Sequence, residues 1–253
     1  MDKRIVFFDL EVNAKTKRID DIGATDGNCT LHTKNTHEFA EFIKDCNCLC
    51  GHNIISHDLK YIKELIDGKD YMAIDTLSLS PLLFPSKPYH ALVKDDKLQV
   101  DELNNPLNDA IKARDLFFDE LNAFYNLHEL LQRIYKGLLA NTKEFEGFFK
   151  LVDCRQTYTL EKDIRYRFRG KICVNADISN LIKNHPIELA YALSLIEAND
   201  KYSITPPWVY INYPTIENVM KVLRNTPCND SPLTAACVAC SCNGSPLYFL
   251  KSS

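Results

Sequence analysis

An apolar run near the start of the chain ends in two acidic residues. Ile5 to Phe8 are all apolar, and Asp9, Leu10 and Glu11 follow them. Successive side chains of a strand point to opposite faces, so Asp9 and Glu11 are expected on the same side of a sheet. Two like charges there repel each other and are costly to desolvate unless a cation, such as a divalent metal ion, neutralises them. The alternative is that both acids are solvated where the strand emerges from the core.

Two further acids occupy places where a carboxylate can serve the same site. Asp58 follows Gly51-His52-Asn53 at the start of a helix predicted over residues 57–66, and Asp109 lies in the first turn of a later predicted helix. Ala110 follows Asp109, and its small side chain would let that helix approach a sheet. A carboxylate in a first turn also suits the helix dipole, so each acid taken alone could be a capping residue. Together with Asp9 and Glu11, they predict one shared metal site.

The hydrophobic pattern predicts the elements that must position these acids. Strands are expected at residues 4–12, 18–24, 28–33, 48–50 and 72–77, with Asp26-Gly27 as a turn between the second and the third. Helices are expected from residue 36, at 57–66, and from Pro106 to about residue 126. An antiparallel meander followed by alternating helices and strands is the order of a ribonuclease-H-like fold. The predicted fold class is therefore α/β, a mixed sheet flanked by helices.

Length and composition exclude several classes of protein. The chain has 253 residues, of which 45% are hydrophobic, and a formal net charge of −4. It can bury a substantial core and is not a disordered protein. No apolar run approaches the roughly 20 residues that cross a bilayer, so no membrane partner is expected and the predicted localisation is cytoplasmic. The negative charge argues against holding nucleic acid through bulk electrostatics, but it is compatible with a nuclease whose metal site is rich in acids.

The ordered acidic motifs resemble those of the DEDD 3′–5′ exonuclease superfamily, which includes the bacterial polymerase proofreading subunit and oligoribonuclease. The resemblance covers about residues 4–122. Its motifs are Phe7-Phe8-Asp9-Leu10-Glu11, Gly51-His52-Asn53 through Asp58, and Leu107-Asn108-Asp109-Ala110. It implies that two divalent ions are held by Asp9, Glu11, Asp58 and Asp109. Two ions about 3.5 to 4 Å apart can activate a water and stabilise the leaving oxygen of a phosphodiester, and oxygen ligands select Mg²⁺ or Mn²⁺ over zinc.

The sequence departs from the superfamily pattern at the general base. Members of the histidine subclass have a histidine five residues before the last acid, and that place is Asn104 here. An amide cannot accept a proton from water. His90, on a loop predicted over residues 80–104, is the candidate replacement because its side chain titrates near neutrality. The alternative is a structural or exposed loop histidine. Asn53 is expected to orient the second motif or to contact the terminal nucleotide.

The predicted domains are an exonuclease-like domain over residues 1–125 and a mainly helical accessory domain over residues 126–253. One strand is expected in the second domain, near residues 165–174. On that strand one face would carry the basic residues Arg165, Arg167, Arg169 and Lys171, which alternate with aromatic residues and glycine. Such a face either contacts the phosphates of a nucleic acid or belongs to a solvated edge strand, whose charges prevent pairing with another chain.

One run of the second domain, residues 186–192 through 203–209, resembles the N-terminal region of bacterial RecQ-type helicases that carry a fused exonuclease. This resemblance implies a helicase as a partner. The sequence contains no Gly-x-x-x-x-Gly-Lys-Ser/Thr motif, so the chain itself is not expected to hold the ATPase motor.

Four cysteines lie close together near the end of the sequence: Cys228, Cys237, Cys240 and Cys242. Cys237 and Cys240 form a Cys-x-x-Cys pair, a spacing common in zinc sites, although the full set is irregularly spaced. One structural Zn²⁺ ion and four free thiols are the two open interpretations.

These patterns predict a metal-dependent 3′–5′ exonuclease that hydrolyses DNA or RNA, with single-stranded DNA or 3′ ends as its partner. The main alternative is a nucleic-acid-binding module whose exonuclease site has lost activity, because Asn104 replaces the expected base. A third interpretation is an α/β scaffold whose acids are dispersed.

Overall fold

The computed structural model describes residues 4–69, 71–87, 90, 105–200 and 203–225. Its strands are β1 (Ile5–Val12), β2 (Ile19–Thr25), β3 (Thr30–Thr33), β4 (Cys48–Gly51) and β5 (Met72–Asp75). Its helices are α1 (Thr36–Ile43), α2 (Lys63–Ile66), α3 (Thr76–Leu83), α4 (Pro106–Asn126), α5 (Glu129–Leu139), α6 (Glu146–Leu151), α7 (Leu160–Arg167), α8 (Ile178–Asn184), α9 (Pro186–Ala198), α10 (Pro207–Asn212) and α11 (Ile216–Asn225). None of the helices within these ranges combines the length and the hydrophobicity that a membrane span requires.

The chain forms two compact units. Residues 1–79, 91–122 and 143–152 make up the first, and residues 80–90, 123–142 and 153–253 make up the second. All five strands belong to the first unit, whereas the described part of the second unit is built from helices and their connections. The four acids predicted to share a site therefore all lie in the unit that contains the sheet.

The sheet has the strand order β3-β2-β1-β4-β5. β2 pairs antiparallel with both β1 and β3, and β4 pairs parallel with both β1 and β5. A tight turn suffices between antiparallel neighbours, whereas the parallel pairs need crossover connections, which here contain α1 and α2. The predicted α/β class, with a mixed sheet flanked by helices, is confirmed.

The central strand β1 is covered on its two faces by different helices. One face contributes to a buried cluster with α1, whose members include Val6, Phe8, Leu10, Phe39 and Ile43. On the other face, the ring centroid of Phe7 lies 5.6 Å from that of Phe117 on α4. Asp9 and Glu11 alternate in step with Phe7, so they project to the face that α4 covers.

The first turn of α4 rests on Gly23 of β2. Gly23 pairs with Asp9 across the β1–β2 ladder, and paired residues of neighbouring strands project to the same face. A Cβ atom on Gly23 would lie 2.0 Å from the backbone nitrogen of Leu107 and 2.1 Å from the carbonyl carbon of Pro106. Because the colliding atoms belong to the backbone, a side chain here would push the helix away. Gly23 therefore sets how closely α4 approaches the acids of β1.

The helix predicted over residues 57–66 is wrong for most of its length. Only Lys63–Ile66 are helical, and residues 52–61 form a succession of bends and turns. The hydrogen bonds of this stretch are those of separate turns, such as Leu59 N–H to the Ile54 carbonyl and Tyr61 N–H to the Asp58 carbonyl. Asp58 therefore lies in a turn rather than in the first turn of a helix.

The fifth strand ends earlier than predicted. It stops at Asp75, and α3 begins at Thr76 and continues through Pro81. The change of structure has a local cause, because the Asp75 carboxylate accepts hydrogen bonds from the backbone N–H groups of Leu77 and Ser78 as an N-cap. The first residues of the loop predicted over 80–104 are consequently helical.

The strand predicted near residues 165–174 is also wrong. Residues up to Arg167 belong to α7, and turns follow. Ile164 and Phe168 are both fully buried, and their spacing of four residues places them on one face of a helix. Gly170 then reverses the chain with φ of 78°. The alternation of basic and aromatic residues is compatible with the two-residue period of a strand and with the 3.6-residue period of a helix. Burial of Ile164 and Phe168 favours the helix.

Gly23→Ala is expected to lower the free energy of unfolding by about 1–3 kcal/mol, because its methyl group would overlap the backbone of α4. Urea denaturation of the metal-free protein measures the change. Gly27→Asn is the matched control: Gly27 also has no side chain, but its φ is 93° and nothing lies within 4 Å of its Cβ position. Asparagine tolerates left-handed backbone, so this variant should lose no more than about 0.5 kcal/mol. Equal losses of unfolding free energy in the two variants would contradict the close packing of α4 against Gly23.

Candidate metal centre

Three carboxylates meet on the face of β1 that α4 covers. Asp9, Glu11 and Asp109 each offer one ligand oxygen, and these three oxygens all lie within 4.8 Å of one another. The first two come from alternate positions of β1, and the third comes from the first turn of α4. Residues separated by about a hundred positions in the sequence thus share one small volume.

Asn105 fixes the start of α4 and with it the position of Asp109. The Asn105 side-chain oxygen accepts hydrogen bonds from the backbone N–H groups of Leu107, at 3.0 Å, and Asn108, at 3.3 Å. Its backbone carbonyl accepts from the N–H group of Asp109 at 3.2 Å. The two side-chain contacts satisfy amide groups that a helix N-terminus leaves without intrahelical partners. The Asn105 cap and the contact of α4 with Gly23 together place Asp109 over β1, the central strand.

Asp58 reaches the same strand from the loop after β4. It is 2% exposed, and its carboxylate accepts a hydrogen bond from the backbone N–H group of Leu10. The parallel pairing of β4 with β1 extends only as far as Phe7, so Leu10 lies beyond the end of β4. Asp58 therefore packs beside the segment of β1 that carries Asp9 and Glu11.

The negative charges of this cluster strongly affect one another. Burial raises the pKa of Asp9 to about 8, and the neighbouring charges of Asp58, Asp109 and Glu11 add to the shift, opposed by His57. Burial and the charge of Asp75 raise the pKa of Asp58 to about 7, although the Leu10 N–H group and Lys60 oppose the shift. Burial and these neighbours therefore disfavour the charged form of Asp9 in the metal-free protein. A cation in the cluster would favour that charged form and relieve the repulsion.

Asp75 is a buried acid beside this site that the sequence analysis did not single out. It is 2% exposed and ends β5, next to the last residue of β4, Gly51. Its carboxylate accepts hydrogen bonds from the N–H groups of Asn53 at 2.8 Å, Ile55 at 3.1 Å and Leu77 at 3.0 Å. An acid directly after the apolar run of a predicted strand, followed by threonine, is the sequence signal that could have identified it.

Asn53 and His57 flank Asp58 on the same loop. The Asn53 backbone N–H group contacts Asp75, and its left-handed conformation turns the chain after β4. The Nδ1 atom of His57 lies 3.3 Å from Oδ1 of Asp58, and the histidine side chain is half exposed. Contact of Asn53 with a terminal nucleotide stays a prediction.

The predicted basic face at residues 165–171 is engaged in intramolecular contacts within the second unit. Arg165 donates to the Glu161 carboxylate at 2.8 Å and to the carbonyl oxygens of Val174 and Ala176. Arg167 and Lys171 both form ion pairs with Glu197, and Arg169 is exposed. Because α7 ends at Arg167 and turns follow, these side chains do not form one strand face. The predicted contact of Arg165, Arg167 and Arg169 with nucleic acid stays untested.

His90, the predicted general base, is buried in the second unit. Its Nδ1 atom lies 2.8 Å from Oγ of Ser80, and only 6% of the residue is exposed. Burial, with a contribution from the positive charge of Lys87, lowers the pKa of His90 to about 4. The imidazole is therefore neutral at physiological pH and packed within the second unit. Its role as a base stays a prediction.

Two other predicted features lie outside the described residues. They are Asn104, at the place of the usual base, and the cysteine set Cys228, Cys237, Cys240 and Cys242, for which a Zn²⁺ ion or free thiols were expected.

The donor set of the cluster fits a hard divalent cation. It consists of carboxylate oxygens, which suit Mg²⁺ and Mn²⁺ better than Zn²⁺, and its acids are close enough for one ion to contact several of them. Burial, together with neighbouring acids, raises the pKa values of Asp9 and Asp58, so a bound cation would favour their charged forms. Comparisons of the chain with protein-family models, with curated proteins and with solved structures found no match.

Asp9→Asn is expected to stabilise the metal-free protein at pH 8 by about 1–3 kcal/mol, because it removes a carboxyl group whose charged form is disfavoured first by burial and then by the neighbouring acids. The pKa of Asp9 is about 8 in the folded state against a usual value of 3.8, so the penalty grows as pH rises from about 4 to about 8. The gain should therefore shrink as pH falls towards 4. Urea denaturation at several pH values measures it, with the exposed Asp45→Asn as control. A loss of stability at pH 8 would contradict this penalty on the charged form of Asp9.

Affinity for Mn²⁺ is expected to rise at least about tenfold between pH 6 and pH 8, because Asp9 and Asp58 must lose protons before they bind a cation. Their pKa values of about 8 and about 7 define this window. Calorimetry in buffers of different ionisation enthalpy measures both the affinity and the protons released. An affinity that does not change with pH would exclude these two carboxylates as ligands.

Proposed function

We propose that this protein is a metal-dependent 3′–5′ exonuclease that hydrolyses phosphodiester bonds of DNA or RNA. The observation that carries the proposal is the convergence of Asp9, Glu11 and Asp109, whose ligand oxygens lie within 4.8 Å of one another. Asp58 packs beside them and is electrostatically coupled to Asp9. These are the four acids that the resemblance to the DEDD exonucleases implies as ligands, in the same order along the chain.

The arrangement suits phosphodiester hydrolysis. Asp9, Glu11, Asp58 and Asp109 would hold one or two Mg²⁺ or Mn²⁺ ions, which supply Lewis acidity and activate water when bound. The protein's own contribution is rigidity, because β1 is central in the sheet and its acids are flanked by packed aromatic residues. Side chains on such elements keep their geometry better than side chains on loops.

The sheet supports the same proposal at the level of the fold. A three-stranded antiparallel meander is followed by two parallel strands, with β1 in the centre. This is the order of strands that a ribonuclease-H-like domain implies, and we propose that identity for the first unit. A fold by itself does not specify an activity, so the acids remain the stronger argument.

The nuclease assay uses 5′-labelled single-stranded DNA and RNA with Mn²⁺ or Mg²⁺. The wild type should produce a ladder of products shortened from the 3′ end, and Asp9→Asn and Asp109→Asn should each reduce the rate more than about 100-fold by removing a ligand. Asp45→Asn, on an exposed carboxylate, should keep full activity. A circular single strand offers no 3′ end and should remain intact. Full activity of either ligand variant would contradict the proposal.

A nucleic-acid-binding module with a weakened site is the second candidate. The observation that favours it is the burial of His90, which packs against Ser80 and has a pKa of about 4, while asparagine stands at the usual position of the base. A pure binder would retain single strands in a mobility-shift assay with Mn²⁺ and leave their length unchanged. His90→Ala separates the two interpretations further: a base contributes about 10²- to 10⁴-fold in rate, whereas a packing residue affects stability instead.

A further inference from the structure

The carboxylate of Asp75 is saturated by backbone donors. It accepts from Asn53, Ile55 and Leu77 at 2.8 to 3.1 Å, and the N–H group of Ser78 also donates to it. A carboxylate has about four acceptor positions, so these four donors use its capacity and leave it unsuited to bind an ion. Its place beside the acidic cluster therefore needs an explanation other than metal ligation.

The donors lie on two segments that Asp75 ties together. Leu77 and Ser78 start α3, whereas Asn53 and Ile55 belong to the loop that leads from β4 to Asp58. Within that loop, the carbonyl oxygen of Ile54 accepts from the Asp58 N–H group at 3.0 Å. Ile54 is fully buried. A continuous series of hydrogen bonds and buried contacts therefore runs from Asp75 to the backbone of Asp58.

We propose that Asp75 is a positioning residue of the metal centre, which holds the loop of residues 53–55 so that Asp58 reaches the acids of β1. The proposal rests on the proposed function, because it assigns a role within the same site. Three of the loop's features serve this placement: the left-handed Asn53, the buried Ile54 and the paired amide of Ile55. Residues that orient metal ligands typically contribute 10- to 100-fold in metal affinity or activity.

Asp75 also acts on Asp58 through its charge, and this effect has the opposite sign. The two carboxylates repel each other, so removing the charge of Asp75 would by itself make Asp58 a better cation ligand. Losing the hydrogen bonds from Asn53 and Ile55 would instead weaken cation binding at the site. In Asp75→Asn the amide keeps one acceptor oxygen, but its NH₂ group faces a backbone donor that the carboxylate now satisfies. The direction of the change in metal affinity decides which effect dominates.

The test measures Mn²⁺ affinity of the full chain by calorimetry at pH 8. Asp75→Asn is expected to bind Mn²⁺ about 10- to 100-fold more weakly than the wild type, and its hydrolysis rate should recover at saturating Mn²⁺. Asp58→Asn removes a ligand and should not recover. An affinity that is unchanged or tighter in folded Asp75→Asn would overturn the proposal.

Asp26→Asn is the matched control for a structural loss. Asp26 also accepts backbone N–H groups, from Asn28 and Cys29 in the β2–β3 turn of the same unit. Its substitution should lower stability without changing Mn²⁺ affinity. A double-mutant cycle completes the comparison. If Asp75 acts through Asp58, adding Asp75→Asn to Asp58→Asn should weaken Mn²⁺ binding no further, and an additive loss would overturn the mechanism.

A second pair of variants keeps the test decisive if Asp75→Asn does not fold. Asn53→Gly preserves the left-handed conformation at the loop, whereas Asn53→Ala strains it. The alanine variant should bind Mn²⁺ more weakly than the glycine variant, and equal affinities would overturn the positioning role of the loop.

Failure of this inference is distinguishable from failure of the proposed function. A wild type that binds Mn²⁺ but does not hydrolyse nucleic acid, with weakened binding in Asp75→Asn, refutes the exonuclease and supports the positioning role. A wild type that hydrolyses, with Asp75→Asn equal to it in Mn²⁺ affinity, refutes only the positioning role. A wild type that binds no divalent ion refutes both.

Discussion

The burial of mutually repelling carboxylates at the central strand is the constraint on which the arrangement of the first unit depends. Asp9 is the most affected, because burial and three neighbouring acids raise its pKa to about 8. Left to themselves the acids would separate, so apolar packing must hold them in place. Phe7 of β1 packs against Phe117 of α4 directly beside the cluster, and the stabilisation by such buried aromatic residues opposes the electrostatic cost.

One helix terminus also reduces this cost. The N-terminus of α4 carries the partial positive charge of the helix dipole and rests on Gly23, the cross-strand neighbour of Asp9. Asn105 caps that terminus with a neutral amide, so the cap adds no further negative charge to the cluster. At α3 the cap is the charged Asp75, whose charge raises the pKa of Asp58. The same capping function thus has different electrostatic consequences at the two helices.

Several features of the site followed from local rules that a sequence contains. The alternation of strand side chains predicted that Asp9 and Glu11 share a face, and the structure places them there with Asp109. Asn105 and Pro106 mark the start of α4 because a capping side chain and a fixed φ suit a helix N-terminus. The antiparallel arrangement of the first three strands also followed from their close succession, with the Asp26-Gly27 turn between the last two. Each of these conclusions depends on residues that are neighbours in the chain.

The sequence by itself therefore determined the α/β class, the strand that carries two acids and the helix that carries a third. Only the tertiary structure decided the rest. The turn that holds Asp58 depends on the distant carboxylate of Asp75, and burial of Ile164 and Phe168 decided that α7 is a helix although its residues also alternate like a strand. The approach of α4 to Asp9 depends on the missing side chain of Gly23. Propensity and periodicity describe near neighbours, whereas these contacts join residues from separate elements, and their free energies are gained only when those elements pack together.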